Sequence, residues 1–354
     1  MSLYLWNVIL LLIEYHLLLK YKLDKKYGLK IFVILAVTQW VIISGFRDLQ
    51  IGADTISYYD SFERVKLRSW SSIWDDVVLA YFHNVEIKDP GYSLFVKVFQ
   101  VFSNNYRIYL IFIALLFTVP MGFFIYNNSK NAFLSFLLYS SLFYSFFAIT
   151  GIRQTVSTAL IVFFGFYFIK KRKLFPFLIL ALLAFVIHKS SIVFVPYYFI
   201  SQKKITKNYL IIIVLIIPFL FVFRGAFLEA LQYIIGYDSY TIYEGAGAWT
   251  FTFLFIVVFI AIIWRSKEIL NNNKDAKYVI NAIILALIFL PLTFINPAMM
   301  RVVQYFSLFL MIILPEIVDS FRDREKVIAE YACYAVLILL LAEKNPHYLF
   351  MGQQ

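Results

Sequence analysis

Lys170-Lys171-Arg172-Lys173-Leu174-Phe175 opens an apolar run that passes through Val186-Ile187-His188-Lys189-Ser190-Ser191 and ends at Phe199-Ile200-Ser201-Gln202-Lys203-Lys204. Read as one helix, residues 174–200 would place two strongly basic flanks on opposite sides of a membrane. Read as a hairpin of two spans, 174–187 and 189–200, they put both flanks on the cytoplasmic side, where Lys and Arg concentrate. His188 and Lys189 then form the tip. Each limb reaches only about 20 Å at 1.5 Å per residue, against a hydrocarbon core of about 30 Å, so the hairpin is short and re-entrant.

The same alternation runs through the whole chain. Hydrophobic residues make up 62% and charged residues 15% of the 354, where a soluble domain has roughly 45–50% and 25%; mean hydropathy is +0.79. Apolar runs occupy residues 3–19, 29–46, 107–126, 132–149, 154–169, 174–187, 189–200, 208–223, 249–264, 278–295, 299–318 and 327–342. They predict an all-α polytopic membrane protein of about twelve transmembrane helices. Basic clusters at Lys20–Lys30, Lys130, Lys170–Lys173, Lys203–Lys207, Arg265–Lys277 and Arg322–Lys326 all fall on the inner side of this path. The net charge of +11 is therefore a topology signal, not a mark of nucleic-acid binding.

Residues 1–354 read as a single polytopic domain. The first run lacks a basic leader and a small-residue cleavage site, so it is expected to be a retained helix. Two segments are long enough to be structured extracytoplasmic loops, 47–106 and 224–249. In the first, Gly91 to Phe99 reads as an interfacial helix. In the second, Ala226 to Ile235 is amphipathic, and Tyr237, Tyr240, Tyr243 and Trp249 are interfacial aromatics. A lone Cys333 excludes an intramolecular disulfide, and no internal repeat is visible.

Candidate chemistry collects on the outer side. Arg47-Asp48-Leu49-Gln50-Ile51-Gly52-Ala53-Asp54-Thr55 leads to Tyr58 and Tyr59, a polar, glycine-hinged cluster emerging from an apolar run. Arg47, Arg153, Arg224 and Arg301 share that side with His188, which suggests a site for a bulky anion such as a lipid-linked diphosphate. Arg153 and Arg301 each begin an apolar helix, whose N-terminus adds attraction for an anion. The competing reading is that arginines at this depth snorkel to headgroups. Asp54 has two readings: a carboxylate that orients a sugar hydroxyl or pairs with an arginine, or an N-cap with Thr55. Asp89 before Pro90-Gly91-Tyr92 is either a site acid or a turn residue. His188 is either a general base, since imidazole titrates near neutrality, or a structural histidine. No metal-ligand spacing, Walker loop, dinucleotide fingerprint or nucleophile elbow occurs, so neither a metal nor a cofactor is expected.

These residues in this order resemble the EpsG family of Wzy-type polysaccharide polymerases. The likeness rests on Arg47 with Gly52, Asp54, Thr55 and Tyr58, on Pro90-Gly91-Tyr92, on Gly151 to Gln154, on His188 with Ser190, and on Arg301 with Tyr305 ahead of Pro315. Asp89 departs from the Glu that often precedes Pro-Gly-Tyr in that family.

The resemblance implies a bundle of the GT-C type in the bacterial plasma membrane. There a growing glycan moves from undecaprenyl diphosphate onto the next lipid-linked repeat unit at the outer face, with a chain-length regulator protein as a candidate partner. Catalytic roles then fall to His188, Asp54, Arg153 and Arg301. Substrate binding falls to Arg47, Gly52, Thr55, Tyr58, Asp89, Tyr92, Gln154, Arg224, Trp249 and Tyr305. Membrane lipids are expected partners and nucleic acid is not. A lipid-linked oligosaccharide flippase and an O-antigen ligase are the alternative functions.

Overall fold

The computed structural model describes residues 2–20, 25–83, 85–235, 248–344 and 347–352. Among them the regular elements are helices, with one isolated antiparallel bridge between Arg47 and Phe350. The α-helices are α1 (Leu3–Lys20), α2 (Lys25–Gly45), α3 (Thr55–Leu67), α4 (Trp70–Phe82), α5 (Pro90–Gln100), α6 (Tyr106–Asn128), α7 (Ala132–Leu138), α8 (Ile152–Thr158), α9 (Gly165–Lys170), α10 (Leu174–Ile187), α11 (Tyr197–Ile200), α12 (Lys207–Val222), α13 (Arg224–Ile235), α14 (Trp249–Asn272), α15 (Ala276–Phe289), α16 (Met300–Ser307), α17 (Leu310–Asp319) and α18 (Asp323–Lys344). Tyr237, Tyr240 and Tyr243 lie outside the described residues.

Four helical stretches are long and apolar enough to cross a membrane: Lys26–Gly45, Tyr106–Asn128, Ile152–Lys170 and Ala276–Phe294. Two bent pairs, Lys207–Val222 with Arg224–Tyr233 at 88° and Pro297–Ser307 with Leu310–Asp319 at 52°, bring the total to six if each is one span. The protein is thus an all-α polytopic membrane protein. Several of the expected continuous spans are broken, and the breaks have local causes. In 132–149 the helix widens into a π turn at Tyr139–Phe143, where Ser140 and Ser141 donate to the carbonyls of Phe136 and Leu137 one turn back, a bonding that loosens helices. In 189–200, expected as a helix, the chain is 3₁₀ from Lys189 to Phe194 and makes one α turn after Pro196, because proline has no N–H for the ladder. The run 299–318 bends where Phe306 and Phe309 both stack on Phe194, at 5.2 and 6.4 Å.

The basic segments meet at one end of the bundle. Lys170 bonds Asn128 and pairs with Asp275 at 2.8 Å, Gln202 bonds the Ile169 carbonyl, Asn273 bonds Glu316 and Lys326 pairs with Asp319. At the opposite end α3, α4 and α5 enclose a second small core of Phe62, Val65, Ile73, Tyr92, Val96 and Phe99, docked on Tyr109 and Ile113 of α6 and on Ile152 and Val156 of α8. Lys97 donates to the Arg68 carbonyl at 2.7 Å and Gln100 to that of Phe62 at 2.8 Å, tying α5 across the end of α3. Helix α5 is the interfacial helix that the sequence predicts; α4 had no such signal.

Helix α5 approaches the tip of α10 closely at Gly91. A Cβ there would lie 2.2 Å from the Val186 carbonyl oxygen, a backbone atom that cannot give way. Gly91→Ala is therefore expected to cost about 1–3 kcal/mol, seen as a lower melting temperature in detergent. Gly225→Ala, with nothing within 4 Å, should leave melting unchanged.

Candidate functional site

Asp89 ends the connection from α4 and begins α5 in the left-handed region, at φ 47° and ψ 57°. A residue in that region just before proline carries strain of about 1–3 kcal/mol. What holds it is a set of bonds from two other segments. One carboxylate oxygen accepts from His188 Nδ1 at 3.0 Å and from the Arg153 guanidinium at 3.2 Å, and the other accepts from the backbone N–H of Lys189 at 3.3 Å. Burial leaves the Asp89 side chain 4% exposed and pushes its pKa up; His188 and Arg153 more than offset this and hold it at about 2. Since the ionised carboxylate only accepts, His188 Nδ1 carries the proton. Its Nε2 is buried and has no partner among the described residues.

Around this dyad lies a cleft of about 220 Å³, whose walls come from the start of α3 (Asp54, Ser57, Tyr58), from Lys88 and Asp89, from Phe146 and Gly151, from the start of α8 (Arg153, Gln154), from His188 and from Arg301. Arg153 sits between two aromatic rings, 5.7 Å from the centre of Tyr58 and 5.4 Å from that of Tyr92. Those ring faces hold a cation, worth about 0.5–2 kcal/mol each. Tyr92 is buried and accepts from the Tyr109 hydroxyl at 2.9 Å, so it is not in the wall. Gln154 donates to the Arg301 carbonyl at 2.6 Å and thereby joins the N-termini of α8 and α16. Arg301 itself has no ion pair among the described residues, in contrast to Arg153. The Asp54 carbonyl accepts the first bond of α3, from Tyr58 N–H at 3.0 Å, but its carboxylate makes no capping bond, and the residue lines the cleft.

The other residues expected to bind substrate lie elsewhere. Arg47 is fully buried, and its guanidinium donates to the carbonyl of Ser44 and, at 2.8 Å, to that of Ile149. It clamps the turn ahead of α8, where Ala148 N–H donates to the Thr155 hydroxyl at 2.9 Å. Gly52, at φ +96°, permits the tight turn before α3, and the Thr55 hydroxyl is taken up by the Ile51 carbonyl at 2.6 Å. Tyr305 is buried, in contact with the Ser190 hydroxyl at 3.2 Å. Arg224 is exposed at the α12–α13 bend and donates to the Phe221 carbonyl. Trp249 is 67% exposed and packs on Phe294.

A second, much smaller hollow of about 30 Å³ shares Lys88, Asp89, His188 and Arg301 with the cleft, but its remaining wall is mainly apolar: Leu228 and Leu231 of α13, with Met299 and Val302. Lys189 also lines it. Neither Lys88 nor Lys189 is a candidate in the sequence, although each adjoins one, and no acid stands beside His188 along the chain. Asp89, 99 residues away, supplies one. Among the described residues no group of three His, Cys, Asp or Glu side chains is placed to hold a metal.

A family model described as the EpsG family matches residues 30–347, nearly the whole chain. No curated protein and no solved structure matches it.

Removing the charge of Asp89 strands Arg153 and His188. Asp89→Asn is expected to lower stability by about 3–5 kcal/mol at neutral pH. Because the folded-state pKa is depressed, the contribution is complete above the ordinary carboxylate value and disappears as pH falls toward about 2. Melting of wild type and Asp89→Asn should differ equally at pH 7 and pH 5 and converge only in stronger acid.

Proposed function

That the chain belongs to the EpsG family is the premise from which we propose that it is a polysaccharide polymerase of the bacterial plasma membrane. It transfers a growing glycan from undecaprenyl diphosphate onto the next lipid-linked repeat unit. The observation that carries this reading is the meeting, in one cleft, of an aspartate-oriented histidine with an unbonded Nε2 and an arginine, Arg301, without a carboxylate partner.

In this mechanism His188 Nε2 takes the proton of the acceptor hydroxyl as its oxygen forms a bond to the donor anomeric carbon. The bond from that carbon to the diphosphate oxygen breaks, and the leaving diphosphate keeps the electron pair. Charge builds on it as it departs, and Arg301 and Lys88 bind it more tightly in that state, which lowers the barrier. Energy for the transfer resides in the glycosyl diphosphate bond. Arg153, neutralised by Asp89, positions the carboxylate that orients His188. Asp54 and Tyr58 are assigned to the sugar side of the cleft, and the apolar side chains of Leu228, Leu231, Met299 and Val302 beside Arg301 to the start of a prenyl chain that lies against them, so an amphiphile is the substrate these walls fit.

The lysine-rich end belongs in the cytoplasm by the positive-inside rule, which opens the cleft outward. Residues 47–106 and 224–249 are then extracytoplasmic loops of one domain. The short and broken apolar segments complete about twelve passages of a GT-C-like bundle, bent segments being tolerated where protein surrounds them.

Purified protein given undecaprenyl-diphosphate oligosaccharides should produce a ladder of longer glycans without nucleotide. His188→Ala should reduce the initial rate by about 10²–10⁴-fold and, because it removes one partner of the buried Asp89 carboxylate, also lower the melting temperature; Arg301→Ala should reduce the rate by about 10²–10³-fold with protein level and melting retained. Wild-type chain lengths in both variants would refute the assignment. Movement of substrate across vesicles with no polymer formed would identify a flippase instead.

A further inference from the structure

We propose that the outward seam between α2 and α6 binds one anionic glycerophospholipid from the leaflet at the lysine-rich end. The two helices run antiparallel and close at Gly122, where a Cβ would lie 2.4 Å from Val37 Cγ2. Beside that contact the seam opens into a groove of about 920 Å³. From Lys26 to Ile42 it follows α2 for about 24 Å at 1.5 Å per residue, longer than the roughly 15 Å of one leaflet's hydrocarbon.

Its walls are hydrocarbon. Val33, Val37 and Val41 face Leu115 and Val119, and the hydroxyl of Thr38 is already bonded to the Ile34 carbonyl at 2.8 Å. Its chemistry changes at one end, where Lys26 and Lys30, both exposed, lie with Tyr27 and Tyr126. No acidic residue lines the groove. An acyl chain under two ammonium groups and two interfacial tyrosines fits a lipid with a negative headgroup. A second copy of the chain fits poorly, since a two-fold contact on this seam would set lysines against lysines.

The test uses full-length protein, delipidated in detergent, with phosphatidylglycerol and phosphatidylcholine of identical chains, read by native mass spectrometry and by melting temperature. Phosphatidylglycerol should be retained preferentially and stabilise more. Lys26→Gln with Lys30→Gln should reduce that preference by roughly fivefold per lysine, and Val119→Trp should reduce retention of both lipids. Lys203→Gln with Lys204→Gln, at the same end but outside the groove, should change neither. Equal retention of the two lipids by wild type, or an equal loss in the two lysine pairs, overturns the proposal. So does a dimer that excludes lipid and dissociates in Val119→Trp.

Discussion

A carboxylate taken out of water must be compensated, and Asp89 is compensated by groups from two other segments. That requirement fixes more than one side chain. It draws the N-terminus of α8 and the tip of the α10 hairpin toward the strained turn before α5, and Gly91 leaves the space that allows the approach. The small core of α3, α4 and α5 holds the turn from behind. Breaking such a pair costs more than forming it stabilises, because the surviving partner stays buried and charged.

The same accounting separates the arginines by role. Arg153 is balanced by Asp89 and enclosed by tyrosines, and Arg47 gives its donors to backbone carbonyls. Arg301 has no acid beside it. A fixed arginine whose fork is already occupied shapes the protein, whereas one that lacks an acid is ready for an external anion. The cleft wall thus combines cations, Lys88 and Arg301, with the carboxylate of Asp54.

What was legible in the sequence follows from the range of the interactions involved. Uninterrupted apolar runs such as 107–126 and 278–295 carry their own signal, and the basic flanks of 174–200 placed the hairpin tip with His188 at the end opposite the lysines. The gathering of Asp54, Arg153, His188 and Arg301 in one cleft was visible as a shared side of the membrane. The breaks near Ser140 and Phe306 were not, since they arise from side-chain bonding and stacking between distant segments. Nor was the fate of Arg47: exposure to headgroups, binding of an anion and burial against carbonyls all begin from an arginine after an apolar run. Asp89 and His188 gave separate weak signals whose meaning came only from their contact.

Asp89 precedes Arg153 by 64 residues and His188 by 99. At about 5–20 residues per second of synthesis, the ribosome delivers the histidine roughly 5–20 s after the aspartate. Until Arg153 is made the strained turn has neither of its counterweights, and from then until His188 follows it has only one. The turn before α5 is thus latched only when the hairpin that carries His188 is in place. The contact of acid and histidine is made when the middle of the bundle is completed, and the cleft itself only when Arg301, later still in the chain, joins its wall.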